Sequence, residues 1–191
     1  MRIPSLLLSS FLLSACATVQ GEPRFEFYDD LASLCGQSFD GKVISNDPQD
    51  ADWAKETLTM HVRDCSDTEI KIPLHVGENR SRTWIVSKTD TGLRLKHDHR
   101  HEDGEPDAVT MYGGDTADAG STTEQSFPVD QYSKDMFVRE GLDVSVTNTW
   151  ILSLIPGESF TYALTRPNRD FRAQFDLTQP VDTPPPAWGS E

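Results

Sequence analysis

The residues with the most chemistry concentrate in one stretch, Leu93-Arg94-Leu95-Lys96-His97-Asp98-His99-Arg100-His101-Glu102. In an extended strand, successive side chains point to opposite faces. Leu93, Leu95, His97, His99 and His101 then share one face, and Arg94, Lys96, Asp98, Arg100 and Glu102 share the other. The second face is wholly charged and belongs to solvent. The first opens on two leucines, so its histidines continue an inward face toward a core or lumen. Alternate side chains on a strand lie about 6.6 Å apart. Neighbouring ring nitrogens at that spacing can bend toward one Zn²⁺ or Cu²⁺, which they would meet at about 2.0–2.1 Å. Zinc or copper is therefore the cofactor this face would take. A turn over residues 102–106 would set Asp107 opposite His101 and Met111 opposite His97. Asp107 then becomes a fourth ligand, or the acceptor that orients a ligand histidine.

Other roles fit the same residues. The imidazoles can hydrogen-bond within a polar lumen, or to Glu102, Asp103 and Asp107. They can form a solvated rim, or serve as acid–base groups. Clustered imidazoles oppose one another's protonation, so a response to pH below about 6.5 is expected. The remaining constellations are weaker. Gly36-Gln37-Ser38-Phe39-Asp40-Gly41 is one residue longer than a nucleophile elbow. The stretch 112–120 has the Asp and Gly of a calcium loop without its spacing. Acidic residues are too abundant for any pair to single out a glycosidase-like couple.

Positioning such a face requires a sheet, and period 2 dominates the chain. Leu58, Met60 and Val62 alternate with Thr57, Thr59, His61 and Arg63. Ile70, Ile72, Leu74 and Val76 alternate with Glu69, Lys71, Pro73 and His75. Asp64-Cys65-Ser66-Asp67 separates these runs as a turn, and Pro73 marks an edge or bulge. Further strands are expected over 39–44, 82–88, 93–101, 108–112, 122–127, 150–155, 160–165 and 171–177, with 113–120 as a loop. Two short helices are expected. One covers 27–34, with Phe27, Leu31 and Leu34 on one face; the other covers 133–140, with Ser133 as N-cap and Gly141 past its end. Short strands joined by tight turns predict a mainly β, antiparallel meander. Closure into a lipocalin-like or fatty-acid-binding-like barrel would remove its edges; an open β-sandwich is the other arrangement. Trp84, Trp150, Phe160, Tyr162, Phe171 and Phe175 read as its core.

Composition excludes several classes. The 191 residues carry 17 Lys+Arg against 31 Asp+Glu, a formal net charge of −14. A nucleic-acid binder usually shows a basic patch, so no nucleic-acid partner is expected. No apolar stretch reaches the roughly 20 residues of a membrane-spanning helix. The three cysteines are too few for a disulfide-dense miniprotein.

The start of the chain reads as an address. Arg2 precedes an apolar run, residues 3–13, of the length of a signal h-region. The run ends in Leu13-Ser14-Ala15-Cys16, which resembles the bacterial lipobox. The resemblance implies cleavage before Cys16 and lipidation of that residue, with the acyl chains holding the protein on a lipid bilayer. An ordinary secretory peptide is the other reading. Ala17, where an Asp would retain a lipoprotein in the inner membrane, implies an outer-membrane lipoprotein facing the periplasm; a soluble secreted protein is the alternative. Residues 1–15 then form the signal peptide, 16–23 a lipidated tether, 24–179 a single β domain and 180–191 a Pro-rich tail. In the oxidising compartment this implies, the remaining Cys35 and Cys65 would pair as a disulfide rather than stay as two buried thiols.

The run Leu95-Lys96-His97-Asp98-His99-Arg100-His101-Glu102-Asp103-Gly104 also resembles an uncharacterised exported proteobacterial family, a likeness that spans most of the chain and brings no function with it. Three readings remain. The protein is a membrane-anchored periplasmic binding module for a small apolar ligand or a metal near His97, His99 and His101. Alternatively it is a metal-dependent enzyme using the same histidines, or an envelope interaction protein without a small-molecule site.

Overall fold

Proline has no N–H to donate and a φ already suited to a helix, so it favours the first helical turn. Pro23 accordingly opens helix α1 (Pro23–Ala32), four residues before the apolar spacing begins. The computed structural model describes residues 21–190; the expected signal peptide, the lipobox-like run and Cys16 lie outside the described residues. Phe27, Tyr28 and Leu31 of α1 are fully buried in the core, and the Arg24 guanidinium donates to the carbonyl of Thr91.

The strands follow as β1 (Ser38–Val43), β2 (Leu58–His61), β3 (Asp64–Cys65), β4 (Glu69–Val76), β5 (Asn79–Thr89), β6 (Gly92–His99), β7 (Tyr112–Asp115), β8 (Glu124–Pro128), β9 (Thr149–Ile155), β10 (Ser159–Arg166) and β11 (Arg169–Val181). They form one antiparallel sheet in the order β7-β6-β5-β4-β2-β1-β11-β10-β9-β8, with the short β3 paired to β4 outside this path. Each step joins neighbours in sequence, except that β2 pairs β4 past the short β3 and β1 pairs β11. The result is a nearly closed up-and-down barrel with two short helices. Closure leaves only the β7/β8 seam without a ladder.

That seam explains a difference from the sequence reading. Residues 108–112 were expected as a strand and 113–120 as a loop; the strand is β7, which contains Gly113 and Gly114. A Cβ on Gly113 would stand 1.8 Å from the carbonyl oxygen of Leu95, and one on Gly114 would stand 1.8 Å from that of Pro128. The glycines mark two close backbone approaches, one on each side of β7. Helix α2 (Gln131–Arg139) then bridges the seam. The Asp130 N–H donates to the Gly113 carbonyl at 2.9 Å, and the buried Ser133 hydroxyl accepts from the Gly113 N–H at 2.8 Å. Ser133 is therefore not the cap. The Asp130 carboxylate is, accepting from the Ser133 N–H at 2.8 Å and pairing with Lys96. Burial pushes the Asp130 carboxyl up, but hydrogen bonds from Lys96 and Ser133 outweigh it, so it lies below the ordinary carboxylate value.

Two further contacts tie down the ends. Cys35, after α1, and Cys65, in β3, form a disulfide with a Cα–Cα distance of 6.2 Å. The two cysteines are 30 residues apart, and closing such a loop constrains the unfolded chain by about 3 kcal/mol. The tail is not free from residue 180 on: Pro180 and Val181 extend β11 against Phe39 and Ser38. Proline is accommodated there because β10 ends its pairing at Asp176, leaving no ladder on that side to donate to. The chain then crosses to β5, where the Trp188 N–H donates to the Arg80 carbonyl at 3.1 Å. Inside, Phe39, Phe127, Trp150, Phe160 and Phe175 are fully buried or nearly so, and make up much of the core. Among the described residues no helix is long and apolar enough to cross a membrane.

Candidate functional site

The whole of β6 pairs with β5, from Thr89↔Gly92 at the α1 end to Arg82↔His99 at the other. Period 2 turns Trp84 and Val86 of β5, and Leu93, Leu95 and His97 of β6, into the barrel. Away from α1 the packing opens into a cavity of about 300 Å³. Its aromatic wall holds Trp53, Trp84, Tyr112, Tyr162 and Phe171; its polar groups include Arg82, His97 and His99. Trp84 stacks on Tyr162 with ring centroids 4.5 Å apart. So Trp84, Tyr162 and Phe171 line a space as well as fill a core, while Trp150, Phe160 and Phe175 pack the interior as expected. A larger groove, about 530 Å³, is a surface feature whose edges are the exposed Asp40, Lys42, Glu158, Asp176 and Thr178.

His97 is 2% exposed. Its Nδ1 lies 3.1 Å from the Tyr112 carbonyl, which can only accept, so Nδ1 carries the proton. Nε2 then accepts from the Tyr162 hydroxyl at 2.9 Å. The ring also stacks on Tyr112, centroids 4.5 Å apart. Burial drives the His97 pKa down to about 3; the Tyr112 carbonyl opposes this, and the neighbouring His99 and Lys96 add to it. His99 is half-buried, its Nε2 3.1 Å from the Tyr112 hydroxyl. Its pKa falls to about 4, through burial first and the Arg82 charge second, against Asp107 and Asp98. Burial also raises the phenols of Tyr112 and Tyr162 well above their ordinary value. At neutral pH both imidazoles and both phenols are uncharged hydrogen-bonding groups.

His101 does not join them. Strand β6 ends at His99, and His101 opens a turn whose N–H donates to the Glu105 carbonyl at 2.9 Å. Its exposed ring stands 4.0 Å from the Asp107 carboxylate. The inward face thus stops one step earlier than the alternation predicts, because the strand stops. The hairpin register also differs. The Asp107 N–H donates to the His99 carbonyl, placing Asp107 opposite His99 and not His101, and Tyr112 pairs with His97 in place of Met111. Met111 takes a left-handed φ of 56° and is exposed, so it acts as a one-residue bulge that turns Tyr112 inward. The four residues His97, His99, His101 and Asp107 are therefore not gathered around one point. Among the described residues no group of three His, Cys, Asp or Glu side chains is placed to hold a metal ion. For His97 the reason is local, since both ring nitrogens already have partners.

Arg82 was missed by reading motifs. It sits in phase with Trp84 and Val86, and a charged residue on that apolar face was the signal. Its Nη1 donates to Asn79 Oδ1 and Ser81 Oγ, each at 3.0 Å, and its guanidinium lies 4.8 Å from the Trp53 ring centre. Burial pulls its pKa down, with Tyr112 and Tyr162 opposing. Tyr112 was hidden by the bulge. Trp53 lies in an irregular stretch, in the 3-10 turn Trp53–Lys55, where no periodicity could point to it.

The chain matches no protein-family model, no curated protein and no solved structure. The cavity's own chemistry is aromatic walls, neutral imidazole and phenol groups, the Arg169–Asp50 ion pair and the guanidinium of Arg82.

Proposed function

We propose that the barrel is a binding module for a small, largely apolar molecule held beside His97 and His99, acting from the cell envelope. The observation that carries this reading is the cavity of about 300 Å³, walled by Trp53, Trp84, Tyr112, Tyr162 and Phe171, with polar groups that include Arg82, His97 and His99. That size is at the lower end of small-molecule sites, which combine apolar walls with a few placed polar groups. The neutral imidazole–phenol pairs orient a ligand without charging the interior. Trp53 and Trp84 line the cavity, so the titration of a small aromatic such as 1-naphthol should quench tryptophan fluorescence saturably. A linear response with no saturation up to millimolar probe would overturn the reading.

The envelope location rests on the leader and on Leu13-Ser14-Ala15-Cys16. We expect acylated Cys16 to tether the protein to the outer membrane, facing the periplasm. On expression in a Gram-negative host the protein should fractionate with membranes, and Cys16→Ser should release it to the periplasm. A wild-type protein already found in the soluble fraction would exclude the anchor.

A further inference from the structure

Arg82 is the one cationic group of the cavity that lacks a counter-charge among the described residues. Arg169 also lines the cavity, but it holds the Asp50 carboxylate through both terminal nitrogens and lies 3.3 Å from Asp47. Asp50 is further bound by the Ser45 hydroxyl at 2.6 Å. His97 and His99 are neutral at pH 7, as argued above. Arg82 makes its two side-chain hydrogen bonds through Nη1 alone, so Nε and Nη2 have no acceptor among the described residues. A half-desolvated guanidinium with two donors free of protein acceptors favours an anion that can accept two parallel hydrogen bonds.

From this arrangement we propose that the cavity selects an aromatic monocarboxylate, with Arg82 receiving the carboxylate. This deepens the binding-module reading and rests on it. The aromatic part would lie between Trp53, Trp84, Tyr162 and Phe171, which form the apolar wall beside the guanidinium. The volume of about 300 Å³ suits one or two rings. Carboxylate fits better than phosphate. Arg82 offers one planar fork, and among the described residues no Lys or second unpaired Arg lines the cavity to meet a second negative charge. The Arg82 guanidinium lies over the Trp53 ring, 4.8 Å from its centre, which fixes where the planar fork sits.

The test uses the full chain and a matched pair of probes, 1-naphthoate and its neutral analogue 1-naphthamide, read by tryptophan fluorescence and checked by calorimetry. The wild-type protein should bind the carboxylate about tenfold or more tightly than the amide, since charge-assisted pairs outweigh neutral ones. Arg82→Gln should remove that preference, bringing carboxylate and amide affinities within about twofold of each other, and Arg82→Lys should restore only part of it. Urea unfolding of both variants verifies that they remain folded. If the wild-type protein binds amide as well as carboxylate, or Arg82→Gln keeps the preference, anion selection is wrong and the binding-module reading stands. If neither probe binds, both readings fall.

Discussion

Acidifying the protein from pH 7.5 to pH 4 is expected to cost it about 3 kcal/mol of stability through His97 alone. Above pH 6.5 the ring is neutral in the folded and unfolded chains alike, and contributes no pH dependence. Below it, the unfolded chain takes up a proton that the folded chain refuses until about pH 3. Unfolding therefore gains a proton over this window, and stability falls as pH falls. Below about pH 3 both states are protonated and the loss levels off. The groups around the ring do not rescue it. Lys96 and His99 disfavour a further positive charge, Tyr112 and Tyr162 are neutral, and the carboxylates of Asp98 and Asp107 act on His99. Carboxylates elsewhere also titrate over this range, so a comparison is needed. His97→Gln keeps a donor for the Tyr112 carbonyl and an acceptor for the Tyr162 hydroxyl, but has no proton to take up. Urea unfolding at the two pH values should show the variant losing about 3 kcal/mol less than the wild type. Equal losses would mean that His97 is solvated or protonated in the folded state.

Gly114→Ala should be among the most damaging single substitutions outside the core. Its Cβ would lie 1.8 Å from the Pro128 carbonyl oxygen, a backbone atom that cannot swing aside. The clash falls at the seam where β7 and β8 meet without a ladder and where α2 is anchored through Gly113. Relief requires β7 to move, which strains the bonds from Asp130 and Ser133 and opens the barrel wall. A loss of about 3 kcal/mol or more is expected, at the upper end of overpacking costs. Gly141→Ala is the control. Gly141 has φ 72° but no atom within 4 Å of an added Cβ, so only the left-handed conformation is penalised, by about 1 kcal/mol. Urea midpoints compare the two. Similar losses at both sites would show that the seam is loose enough to absorb a methyl group. Faster hydrogen exchange in β7 and β8 of the Gly114 variant would locate the damage.

Much of the barrel was legible because period 2 is a local property. The alternation at 58–62, 70–76 and 93–99 depends only on which residues face apolar surroundings, and the strands appear there. The Cys35–Cys65 pairing was readable from the cysteine count, because the expected export would leave two thiols in an oxidising compartment. Boundaries that rest on single residues were less legible. Asp130 caps α2 in place of Ser133 because the Ser133 hydroxyl is needed across the seam. Gly113 and Gly114 look like a loop in the sequence; what makes them strand residues is the nearness of Leu95 and Pro128, which are distant in sequence.

The sequence by itself determined the class of fold, the inward direction of His97 and His99 and the charge on the opposite face. Each follows from side-chain types at a fixed spacing along one strand. Only the tertiary structure decided which groups meet. A bulge at Met111 exchanged one expected partner for Tyr112, the end of β6 left His101 outside, and Arg82 came to stand opposite His99 beneath Trp53. These outcomes depend on register between strands and on the irregular segment that brings Gln49, Asp50 and Trp53 to the cavity. Register and return paths are set by packing across the whole barrel, so no single segment contains them.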